Sequence, residues 1–131
     1  MNDIIRSLNP AGVHPPAGAY THSILLPATA RTLYVAGQVG IRIDGSLPAS
    51  LADQADQVFA NLVTVLSANG MEPRDIVKLT TYLVLGQEGA VVGNARRAHL
   101  GEHKAAATFI FVPQLYSPDW LLEVDAVAAR V

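Results

Sequence analysis

The chain has 131 residues, half of them apolar and 15% charged, with no cysteine and a formal net charge of −2. That length suits one domain with its own core, spanning residues 1–131, rather than two, and the missing cysteines exclude disulfides, thiolate nucleophiles and cysteine-ligated zinc. Nucleic acid is not an expected partner, because the basic residues are scattered and their only adjacent pair is Arg96-Arg97.

The opening Met1-Asn2-Asp3-Ile4-Ile5-Arg6 lacks the basic-then-apolar order of a secretory leader. The uncharged stretch Ala105 to Pro118 contains Pro113 and is shorter than a membrane span. The expectation is a soluble, cytoplasmic protein with no membrane partner. The first 20 residues are rich in proline and glycine and should run extended or as loop. Ser23–Leu26 and Thr32–Ala36 read as strands, and Val39–Ile43 alternates like a third before a turn at Asp44-Gly45. Ser50 to Gly70 predicts a helix, capped by Ser50 with Asp53 three residues on. Its apolar stripe is Leu51, Ala55, Val58, Phe59, Leu62, Val63 and Leu66, and Gly70 stops it.

Asp75–Leu85 predicts a strand with Val77, Leu79, Thr81 and Leu83 on one side and Ile76, Lys78, Thr80 and Tyr82 on the other. A second helix is expected over Gly89–Leu100 on a stripe of Val91, Ala95 and Ala98, and Thr108–Val112 and Trp120–Ala128 close the chain as strands. Helix-sized segments between strands suggest right-handed crossovers lying on a sheet face. Two helices cover one face only. The other must meet solvent or another subunit, and a charge content below the roughly 25% of ordinary soluble domains favours a subunit.

Five segments, in order, resemble the RidA/YjgF (reactive intermediate deaminase, endoribonuclease L-PSP) family. They are Gly18-Ala19-Tyr20-Thr21-His22-Ser23, Leu33 to Gly40, Ile76 to Leu83, Asn94 to His103, and Leu122 to Ala128. The resemblance implies a chorismate-mutase-like α/β fold: a mixed sheet of about six strands with two helices on one face. It also implies a homotrimer with small-molecule pockets in clefts between subunits, and no cofactor.

The family reaction is hydrolysis of 2-imino acids, or their enamine tautomers, to 2-oxo acids and ammonia. It needs a cation for the substrate carboxylate, best an arginine fork, and a water oriented against the imine carbon. By resemblance Glu123 is the proton-handling carboxylate and Tyr20 the pocket hydroxyl, with Gly37, Asn94, Ala107 and Thr108 as substrate-binding positions. The residues alone leave blander readings open. Glu123 and Asp125 could be solvated on an exposed face, Tyr20 could anchor a loop, Gly37 could serve a turn, and Asn94 could be a surface polar group. The family arginine precedes a strand in a P-A-R-[ST] pattern; here Ala105-Ala106-Ala107-Thr108 puts Ala107 in its place. No arginine lies between Arg97 and Arg130, and Lys104 sits three positions away with the wrong strand parity. The expected consequence is weak or absent 2-imino acid deamination and a pocket better suited to a neutral ligand.

His99-Leu100-Gly101-Glu102-His103 matches an inverted zinc-peptidase motif, but Gly101 falls where an unbroken helix is required, so no metal is expected. His22 lacks a serine–aspartate constellation. Two functions remain: a deaminase-like hydrolase of small imines, enamines or related reactive metabolites, and a non-catalytic small-molecule-binding or regulatory homotrimer. A ribonuclease role is a weaker third, given the acidic balance.

Overall fold

A computed structural model describes residues 4–131; Met1, Asn2 and Asp3, on which the leader reading partly rests, lie outside the described residues. Ser50 caps helix α1 (Leu51–Ala68), its Oγ accepting from the Asp53 amide at 3.1 Å. Ala55, Val58, Phe59, Leu62 and Leu66 are fully buried along one side. The helix ends as expected: Gly70 takes a φ of 71°, and the Met71 amide reaches back to the Leu66 carbonyl at 2.9 Å.

Strands β3 (Arg31–Gln38), β4 (Ile76–Val84), β5 (Ala106–Val112) and β6 (Leu122–Arg130) form one mixed sheet in the order β3-β6-β4-β5. The last strand, β6, inserts between β3 and β4 and runs antiparallel to both. Parallel β4 and β5 are joined by helix α2 (Gly89–Leu100), the crossover that the alternation of segments predicts. The remaining two strands, β1 (Arg6–Leu8) and β2 (Ser23–Leu25), pair separately as an antiparallel ribbon. Leu122, Val124, Ala126 and Ala128 of β6 join both helices in one hydrophobic cluster. The opposite sheet face is uncovered, with Tyr34 79% exposed upon it.

Three local expectations fail for physical reasons. Val39–Ile43 is not a strand. The Asn61 side chain on α1 donates to the carbonyls of Val39 and Ile41, both at 3.1 Å, and so takes acceptors a sheet neighbour would have used. Gly40 lies so close to α1 that a Cβ there would meet Gln54 Cα and O at 2.9 Å. The predicted turn after this segment does form, with Gly45 at a φ of 87°. In β4 a register shift between Ile76 and Lys78 turns Ile76 into the core, 1% exposed, against its predicted parity. In α2, Val92 and Leu100 are buried while Ala98 is exposed. Contact with α1 sets that helix's rotation: His99 stacks on Phe59 at a centroid distance of 6.5 Å and its Nε2 meets Asp56 Oδ1 at 2.6 Å.

Candidate functional site

The N-terminal segment is stitched to the start of β5. The Thr21 amide donates to the Ala105 carbonyl at 3.0 Å, and Asn9 Oδ1 accepts from the His22 amide at 2.6 Å and the Thr21 hydroxyl at 3.1 Å. This brings Tyr20 beside β5 and α2, where it helps to line a cavity of about 650 Å³ together with Ala107 and Thr108. The Tyr20 hydroxyl accepts from the Ala17 amide at 3.2 Å, so the ring both anchors its own loop and faces the cavity.

Register separates the remaining candidates. Ala107 pairs with Leu79 and so belongs to the helix-covered side. Glu123 pairs with Tyr82 on the open face, and Gly37 lies against it, where a Cβ would fall 1.9 Å from Glu123 Oε2. Gly37 has no left-handed φ; what a side chain at 37 would meet is the Glu123 carboxylate, not backbone strain. Thr108 Oγ1 accepts from Lys78 Nζ at 2.8 Å. Within one chain, then, Tyr20 and Ala107 share a cavity while Gly37 and Glu123 share a contact on the other side of the sheet.

Glu123 is half-buried. Burial raises its carboxyl above the usual carboxylate range, and the neighbouring Asp125 charge adds to the effect. The Asp125 carboxylate beside Tyr82, with some burial, pushes that phenol up as well. A carboxyl raised in this way holds and releases a proton closer to neutrality, which suits acid–base work. Asp125 acts on its neighbours.

Asn94 does not line the cavity. Its Oδ1 accepts from Arg97 at 2.5 Å, and the cavity wall includes Arg96 and Arg97 themselves. The signal for these two was in the sequence, as the only adjacent basic pair, but a search for cations along β5 passes over a neighbouring helix. Lys104 is exposed and precedes the strand. The histidines of the inverted zinc-peptidase motif are separately engaged, His99 with Asp56 and His103 Nε2 with the Ile76 carbonyl at 2.7 Å. Gly101 between them has a φ of 73°. No group of three or more metal-ligating side chains occurs among the described residues, and no described helix is long and apolar enough to cross a membrane.

The family described as Endoribonuclease L-PSP matches residues 12–130. A RutC family protein of Pyrococcus horikoshii is 30% identical over 117 residues, 88% of this chain and 90% of its own length. The 2-iminobutanoate/2-iminopropanoate deaminase of Escherichia coli K12 is 33% identical over 89 residues, 66% of this chain and 69% of its own. A crystal structure from Yersinia pestis, described as a protein of unknown function of the conserved Rid family, is 33% identical. It superposes with a TM-score of 0.81 over 96% of this chain and 98% of that one. On the order of its elements, the family match and these relatives, the chain belongs to the RidA/YjgF family.

Proposed function

We propose that the protein is a deaminase-like hydrolase of small reactive imines or enamines, working as a homotrimer with its site completed between subunits, and that it handles short 2-imino acids poorly. The observation that carries this reading is the division of the candidate residues. Tyr20 and Ala107 lie at the cavity, whereas Glu123 and Gly37 meet on the open face. In this reading a neighbouring chain docks on that face, and the assembled trimer brings one chain's Glu123 together with another's cavity. Exposed Tyr34 and the half-buried Val127 supply apolar area for such docking. Glu123, with its raised carboxyl, would orient water and exchange protons, and Tyr20 would contribute its hydroxyl.

The weakness towards 2-imino acids follows from Ala107, which occupies the position of the family arginine and leaves β5 without a guanidinium. Removing one partner of a desolvated charge pair costs about 2–5 kcal/mol, or roughly thirty- to several-thousand-fold in rate. Light scattering together with an imine-hydrolysis assay tests the proposal. A mass near three times 13.9 kDa is expected, with hydrolysis that disappears in Glu123→Ala. A concentration-independent monomer would remove the completed site, and hydrolysis indifferent to Glu123→Ala would remove its proton handler.

A further inference from the structure

Gly89, Val92, Gly93, Arg96 and Arg97 recur at the spacing of one helical stripe, and all five line the cavity. The glycines leave the first two turns of that wall bare, and the arginines close it at the C-terminal end. Helical side chains lean towards the N-terminus, which carries Arg97 back over Gly93, where a Cβ would lie 3.7 Å from its Nη1. The other terminal nitrogen donates to Asn94 one turn earlier, so the guanidinium is held from one edge with the rest of its fork free. Arg96 is half-buried and makes no side-chain hydrogen bond or ion pair among the described residues. Among the described residues no aspartate or glutamate lines the cavity, so none of them neutralises the pair from its wall.

Concave surfaces of one sign focus the field and draw in counter-charges, and guanidinium matches a carboxylate through two parallel hydrogen bonds. The rest of the wall is largely apolar, with Leu79, Val92 and Phe109 among its residues. A volume of about 650 Å³ falls within the usual range for small-molecule sites, roughly 300–1,000 Å³, and is ample for more than a three-carbon acid. We infer that Arg97 and Arg96 form an anion anchor on α2, and that the cavity takes a carboxylate-bearing small molecule with a sizeable apolar body. These cations stand on the helix and not on β5, so a carboxylate they hold sits against the α2 wall. The expected preference for a neutral ligand assumed β5 to be the only source of positive charge, and the helix pair removes that assumption.

The anchor rests on the reading of the cavity as the substrate site, but its test measures binding alone. The full chain, in whatever oligomer it forms, is titrated by NMR with 3-phenylpropanoate and with its neutral counterpart 3-phenylpropanamide. Wild type should bind the acid about tenfold or more tightly than the amide, as expected for charge-assisted hydrogen bonds. The Arg96→Gln/Arg97→Gln double variant should bind the two equally, and Arg42→Gln, on a remote turn, should keep the preference. Equal affinities in wild type, a preference surviving in the double variant, or binding of neither ligand would overturn the anchor. An arginine-dependent preference without any imine hydrolysis would instead retire only the deaminase reading.

Discussion

Gly37→Ala perturbs the closest contact at the candidate site. A Cβ at this position would lie 1.9 Å from Glu123 Oε2, 2.7 Å from Cδ and 3.1 Å from Cγ. The backbone accepts alanine without φ strain, so the cost falls on the glutamate. Turning its carboxylate aside by an off-rotamer torsion costs about 0.5–1.5 kcal/mol. Replacing glycine returns roughly 0.4–1 kcal/mol through the unfolded state. The single variant should therefore unfold within about 1 kcal/mol of wild type, while its Glu123 is displaced from its place beside Gly37. In a Glu123→Ala background the clash is gone, and Gly37→Ala should then stabilise by roughly 0.4–1 kcal/mol. A double-mutant cycle by urea denaturation at one protein concentration should give a coupling of about 1 kcal/mol. Additivity within roughly 0.3–0.5 kcal/mol would refute the contact and, with it, the reason for a glycine at 37.

Gly40→Ala meets backbone, since the nearest atoms are Gln54 Cα and O at 2.9 Å; it should destabilise by about 1–3 kcal/mol in the same assay, and a neutral result would mean the Gly40 segment does not lie against α1. Glu123→Gln tests the raised carboxyl. A carboxyl raised by folding lends stability while protonated and loses it as pH rises through the folded value, so the glutamine variant should out-melt wild type at neutral pH. That advantage should fade as pH falls below the usual carboxylate range, and an advantage constant with pH would contradict the assignment. Leu62→Ala, fully buried on α1, should cost about 2–5 kcal/mol; a loss under 1 kcal/mol would mean that the core is not centred on α1.

Long-period features were legible without coordinates. The stripe on α1, its Ser50 cap and Gly70 stop, and the alternation of β6 all depend on residues close in sequence. What escaped depends on contacts between distant segments. Nothing local shows that Asn61 claims the carbonyls of Val39 and Ile41, or that a register shift turns Ile76 inward. The candidate site divides in the same way. Tyr20, Gly37, Ala107, Thr108 and Glu123 could be singled out one at a time by resemblance. The faces of Ala107 and Glu123 came only from strand pairing, the place of Gly37 only from its contact with Glu123, and the presence of Arg96 and Arg97 at the same cavity only from how α2 packs. Asn94, singled out as a ligand contact, is outside the cavity lining and accepts from Arg97, which is part of it.

The measurement closest to the central claim is hydrolysis of 2-iminopropanoate, generated by an amino-acid oxidase and followed by capture of the surviving imine. Wild type, Ala107→Arg and Ala107→Arg/Glu123→Ala are compared with an arginine-bearing relative. Ala107 already borders a roomy cavity, so an arginine there has space to extend, although it joins two existing guanidinium groups. If the missing guanidinium on β5 limits the reaction, wild type should run about thirty-fold or more below the relative. Ala107→Arg should recover part of that deficit, and Glu123→Ala should abolish the recovery. Wild-type hydrolysis equal to that of the arginine-bearing relative would contradict the account, because a carboxylate clamp on β5 would then be dispensable.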